Sequence, residues 1–158
     1  MNGDRDMHLE GFAPQKIAWF RELVLKKNFL QVVDLHFQLS EAVRYHYKKR
    51  QDNKHLLIAI SACEYMVCIS DISLDAMIAK EFYRVYEYEK ILGSRYPHKR
   101  VFISPSNLGY RQLGVILRRK KMNLRDEQLK AKMIAEGWCG GEIDLSTVSG
   151  RHFIDKKG

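Results

Sequence analysis

Proline is scarce, with three residues in 158, and none falls between Pro14 and Pro97. Nothing covalent therefore stops helix over that whole stretch. Cysteine is equally thin. Cys63, Cys68 and Cys139 are an odd number without framework spacing, which excludes a disulfide scaffold. Cys63 and Cys68 lie five apart, off any common helix face, and read as small core residues of a reducing compartment. The N-terminus carries no apolar h-region, so no secretory signal is visible and a cytoplasmic protein is expected. The most apolar run, residues 55–79, is broken by Glu64, Asp71 and Asp75, which suits a buried helix pair better than a membrane span. Walker loop, Gly-rich dinucleotide turn and nucleophile elbow are all missing. The six histidines show no metal-ligand spacing with a Cys or carboxylate, and His46 falls on an apolar stripe, so neither metal nor cofactor is expected. Acid is missing locally as well: residues 93–124 contain no Asp or Glu.

What is present is a soluble-type composition, 46% hydrophobic and 29% charged, in a length that suits one domain with its own core. The net charge of +8 points to acidic partners, whether peptide, nucleic acid or an anionic surface.

Apolar spacing is helical nearly throughout, and an all-α chain follows. Residues 1–12 are polar and read as a flexible N-terminus. Pro14 suits the first position of a helix over 14–26, with Ile17, Phe20 or Trp19, and Val24 on its apolar side. A longer helix over 29–49 has the row Leu35, Leu39, Ala42, Val43 and His46. After a polar turn, residues 54–70 are apolar on nearly every side, the mark of a central helix. A helix over 73–92 follows, with Leu74, Ile78, Phe82, Val85 and Tyr88 facing inward. Residues 93–103 read as a loop, and Ser104-Pro105 as a helix restart. The domain is expected to span 13–138, and the Gly-containing segment 139–158 to be a loosely attached tail.

Within residues 110–138, Tyr110, Leu113-Gly114 and Leu117 align on one helix stripe, where a glycine admits a partner helix. Met122-Asn123 breaks the pattern, and a second helix runs to a stop at Gly137. This aromatic-x-x-Leu-Gly-x-x-bulky order resembles the first helix of a tetratricopeptide (TPR) repeat. Residues 39–71 have the same rhythm: Leu39, Ala42, Val43 and His46 on the first helix, Ala59, Cys63 and Met66 on the second. The chain thus resembles divergent, uncharacterised bacterial TPR-like proteins whose last repeat ends Glu-Gly-Trp, as Glu136-Gly137-Trp138 does here. Two positions depart from the pattern, because Asp126 and Lys130 stand where small and large apolar residues belong. The resemblance implies antiparallel helical hairpins stacked as a short superhelix, with the extra helices as caps or with the chain pairing as a homodimer.

It also implies a non-enzymatic protein–protein interaction module whose first helices line a groove. Carried over by position, the peptide-binding residues are Arg44, Tyr47 and Lys48 in the earlier repeat, and Arg111, Val115, Arg118 and Arg119 in the later one. Arg forks bind carboxylates in two-toothed fashion, so an acidic peptide or protein segment is the implied partner. A second reading is nucleic-acid binding, because the acid-free segment interleaves its cations with Tyr96, Phe102 and Tyr110. A third is enzymatic. Arg50 and His55, separated by four residues, resemble the Arg-x4-His motif of HEPN ribonucleases, although Gln51 is not the usual following residue.

Overall fold

The computed structural model describes residues 14–93, 101–138 and 140–145. Six helices occur among them: α1 (Pro14–Leu25), α2 (Phe29–Lys48), α3 (Asn53–Cys68), α4 (Ser70–Leu92), α5 (Leu108–Arg119) and α6 (Asn123–Glu136). Two short strands, β1 (Val101–Ile103) and β2 (Glu142–Asp144), form one antiparallel ribbon. The fold is all-α, built of helical hairpins.

Polar caps place most of the breaks. Asn28 opens α2 with a reciprocal box: its side chain accepts from the Gln31 N–H at 2.9 Å, and Gln31 accepts from the Asn28 N–H at 3.1 Å. Asp52 accepts from the Lys54 N–H at 3.0 Å to start α3. Asn107 does the same for α5, accepting from the Tyr110 N–H. Gly137 ends α6 with φ +94°, a left-handed cap that glycine adopts without penalty. Between α3 and α4 there is only Ile69, and the two helices diverge by 64°. No single helix among the described residues is long and apolar enough to cross a membrane.

Helix α3 is the centre of the molecule. It packs along α2 and α5 and also touches α1 and α4. Its buried residues Ala59, Ile60, Ala62, Cys63, Glu64, Met66 and Val67 form one broad face, while Ile58 is 44% exposed, so the helix is central without being apolar-covered on every side. Helix α4 lies on α2, and α6 packs on α5 to form the last hairpin. Tyr110, Leu113 and Leu117 of α5 are all buried, as their stripe requires.

Several expectations are corrected. Trp19 faces outward at 59% exposure, while Phe20 takes the inner position against Tyr65, with ring centroids 4.2 Å apart. The deepest row of α2 is Val32, Val33, His36, Ser40 and Val43, because the helix is covered by α3 on one side and α4 on the other. Tyr88 at the far end of α4 is exposed, beyond the reach of α2. Ser104 does not start a helix. Its hydroxyl donates to the Gly137 carbonyl at 2.9 Å and accepts from the Gly140 N–H at 3.1 Å, tying the chain before α5 to the chain after α6. The expected loose tail is held over its described part. Val101 faces Asp144, Phe102 faces Ile143 and Ile103 faces Glu142, and Leu145 is buried. Three-residue strands are too short to leave a period in the sequence. The expectations for residues 1–12, Tyr96, Cys139 and 146–158 lie outside the described residues.

Candidate functional site

A groove of about 380 Å³ lies between α5 and α6, lined by several of the predicted residues. Leu108, Val115, Leu129 and Met133 give it an apolar lining, and Arg111, Arg118 and Lys130 bring positive charge to it. Arg111 and Arg118 meet there because seven residues are two helix turns, and Val115 lies between them. Three of the four residues carried over for the later repeat therefore share one surface.

The groove also holds an acid. Asp126 is only 5% exposed and accepts from Arg118 at 3.1 Å and from Lys130 at 3.2 Å. A buried carboxylate needs such partners to stay charged. Gly114 makes the pairing fit. A Cβ at that position would lie 3.1 Å from Arg118 Nη1 and 3.3 Å from Asp126 Oδ1. Asp126 and Lys130, the two residues off the expected apolar pattern, belong to one ion-pair set in which Asp126 holds both Arg118 and Lys130. Glycine at 114 vacates room for an ion pair, and it is Gly109 that admits the neighbouring helix backbone: a Cβ there would stand 2.5 Å from Met66 Cβ on α3. Arg111, by contrast, is exposed and has no ion-pair partner among the described residues.

The other predicted residues are elsewhere. Arg44 is exposed and pairs with Glu41 at 2.6 Å, one turn back on its own helix. Lys48 is exposed at the end of α2. Arg119 turns away from the groove and donates to the Tyr47 hydroxyl at 3.1 Å, so these two meet across helices in a separate cleft. The set expected to line one surface along α2 and α5 is divided, because the groove runs inside the last hairpin and not between successive first helices.

Arg50 and His55 also take separate partners. The Arg50 guanidinium lies over the Tyr47 ring, 4.6 Å from its centroid, and donates to the Tyr47 carbonyl at 3.1 Å. His55 Nδ1 is 2.8 Å from His46 Nδ1, the two rings joining the last turn of α2 to the first of α3. One of these nitrogens must carry a proton and the other accept it. Arg50 and His55 share no hydrogen bond.

A polar knot, buried at Ser70 and Tyr110 and open to solvent at Lys132, escaped the sequence reading. Glu136 accepts from Tyr110 at 2.6 Å and from Ser70 at 2.5 Å, while Lys132 reaches its second oxygen at 2.5 Å. The Lys132 ammonium also lies 3.1 Å from the Tyr110 hydroxyl and 3.2 Å from the Val67 carbonyl in the last turn of α3. Burial first, and then the Glu136 carboxylate, push the Tyr110 phenol well above its ordinary range, so it stays protonated. Beside the knot Arg21 forks onto Asp71 at 2.6 and 2.7 Å, and holds that carboxyl below the usual carboxylate range. Ser70 is fully buried, so no substrate reaches it, and the knot fastens α1, α4, α5 and α6 around the end of α3. The only hint in the sequence was polar residues on otherwise apolar rows. The Glu-Gly-Trp triplet belongs to the same closure: Glu136 in the knot, Gly137 at the cap, and buried Trp138 stacked on His36 at 5.8 Å between centroids.

Among the described residues no group of three or more His, Cys, Asp and Glu side chains could hold a metal ion. No protein-family model, no curated protein and no solved structure matches this chain.

Proposed function

We propose that the protein is an interaction module that takes a short partner segment into the α5–α6 groove, as a divergent TPR-like hairpin stack would. The observation that carries this is the pairing of an apolar floor with one unclaimed guanidinium. Leu108, Val115, Leu129 and Met133 offer apolar surface, and Arg111 stands at the same groove with no ion-pair partner among the described residues. Arg118 and Lys130 are already committed to Asp126, so Arg111 sets the charge preference. The favoured guest is a segment with one or two apolar side chains and an adjacent carboxylate, which Arg111 grips with both arms of its fork. The way α5 lies on α3 while touching α2 supports the repeat-like reading, since the first helix of one hairpin then nests between both helices of the other.

Selection of displayed random peptides against the full chain tests the idea. Enriched sequences should combine apolar and acidic residues. Their affinity should fall at least tenfold in Arg111→Glu, which reverses the charge, and in Val115→Lys, which fills the floor, with melting unchanged. Failure to enrich any sequence, or equal binding by both variants, would remove the proposal.

A further inference from the structure

A second surface lies at the end of the molecule where α2 stops, α3 starts and α5 stops. The turn between α2 and α3 supplies Lys49 and Arg50, the first turn of α3 supplies Lys54, and the end of α5 supplies Arg119, Lys120 and Lys121. The hydrogen bond from Arg119 to the Tyr47 hydroxyl, 3.1 Å across helices, joins the two groups. Where they meet is a cleft of about 120 Å³. Its floor is Leu56 and Ile116, its wall is Tyr47, and its rim is Arg50, Arg119 and Lys120. None of the residues lining it is acidic. Asp52 is the one carboxylate in the adjoining turn, and it is occupied in capping α3 through the Lys54 N–H.

Cations at the ends of α2 and α5 have an ordinary use, since they balance the partial negative charge of helix C-termini. That use does not account for the rest. Arg50 and Lys54 belong to the turn and to the first turn of α3, where the helix dipole is positive and cations are disfavoured. Aromatic faces stand among the charges as well. Arg50 lies on the Tyr47 ring, and Lys49 lies 4.3 Å from the centroid of Tyr45, a residue 54% exposed. The paired imidazoles of His46 and His55 sit against Tyr45, with ring centroids 4.9 and 6.2 Å away.

We propose that this end binds single-stranded nucleic acid, with backbone phosphates at Arg50, Arg119 and Lys120 and a base against the Tyr47 ring and the Arg50 guanidinium that lies on it. Charge alone would suit any polyanion. What selects a nucleic acid over an acidic peptide is the alternation of cations with flat aromatic surface, which matches alternating phosphate and base. A duplex is excluded as the favoured form because its bases are stacked inside and unavailable to Tyr47. The surface is separate from the α5–α6 groove: Arg119 and Lys120 point to the cleft, Arg111 and Arg118 to the groove.

The test is fluorescence anisotropy of a labelled twelve-nucleotide uridine strand with the full chain, titrated at several salt concentrations, alongside a labelled polyglutamate of equal length. Binding of the uridine strand should weaken steeply with salt, by about 0.7 in log K per log salt for each phosphate neutralised. The double variant Arg119→Glu, Lys120→Glu should lose at least tenfold in affinity and flatten that dependence. Lys49→Glu, which touches no cross-helix contact, should lose several-fold, and Arg111→Glu should bind as the parent does. Circular dichroism of each variant should be unchanged. Three outcomes would overturn the inference: no binding of the strand at low salt, binding that the variants leave intact, or polyglutamate bound as tightly as the strand.

Discussion

His36 illustrates what a single buried side chain does to the whole balance. It is 3% exposed, and burial lowers its pKa from 6.5 to about 4. Its neighbours Phe37 and Trp138 are aromatic and offer no charge to offset a proton. A base with a lower proton affinity in the folded chain favours unfolding as acid is added, because the unfolded chain takes up the proton that the folded one refuses. Stability should therefore be at its full value above pH 6.5 and fall as the pH drops from there towards about 4. At pH 5 the loss should be about 2 kcal/mol. Urea melts of the parent and of His36→Phe, which keeps an aromatic ring against Trp138, measure it, and the slope should vanish in the variant. Asp71 acts in a different window. Its carboxyl is held below 3.8 by Arg21, so its contribution is complete above that value and is lost only at lower pH. The thiols respond to burial too: Cys63 and Cys68 are both pushed up to about 12. A disulfide reagent at pH 8 should leave these two unmodified in the native chain and modify them once urea is added. That reticence was readable from their place in an apolar run, whereas His36 was not, since a histidine beside Phe37 gives no sign of which neighbour will cover it.

Between elements, the glycines and the buried ion pairs decide how closely helices meet. Gly109→Ala drives a methyl against Met66 Cβ, an atom fixed to the α3 backbone, so it should cost about 2 kcal/mol or more. Gly114→Ala meets only the tip of the Arg118 side chain and the Asp126 carboxylate, which can give slightly, while alanine gains about 1 kcal/mol of helix propensity. It should be neutral or stabilising. Thermal melts of the two variants separate the backbone contact from the ion-pair niche. Arg125 and Glu64 link α6 to α3 at 2.7 Å, both largely buried. Arg125→Ala takes a charged hydrogen-bond partner from the buried Glu64 carboxylate and should cost about 2 kcal/mol, read in thermal melts, and Glu64→Leu with Arg125→Met should recover most of that. The starts of α2 and α3 and the stop of α6 were legible to within a few residues, because Asn28, Asp52 and Gly137 act locally. The start of α5 was not. Ser104-Pro105 has the right chemistry for a cap, but Ser104 is claimed by Gly137 and Gly140, partners more than thirty residues away.

At the scale of the whole molecule, composition and periodicity sufficed for an all-α fold with a central apolar helix, since these follow from which residues avoid water. They could not arrange the predicted binding residues. Whether Arg118 serves a guest or Asp126 depends on how α5 and α6 are rotated against each other, and a one-dimensional pattern carries no such angle. The same ambiguity hid the meeting of Tyr47 with Arg119, seventy-two positions apart. Charge reversal should consequently act regionally: Arg111→Glu should alter peptide capture alone, and Arg119→Glu with Lys120→Glu should alter strand binding alone. Measuring both ligands on both variants checks that the two faces are independent.

The stacking of Trp138 on His36 bears on how the chain is made as well as on how it stands. A ribosome delivers residue 36 long before residue 138, and during that interval the early helices have no lid over this ring. Tyr110 and Ser70 wait likewise for Glu136. The native state is therefore completed late in synthesis, and the partly made polypeptide leaves apolar surface bare for the time the remaining hundred or so residues take to emerge, several seconds at ordinary elongation rates.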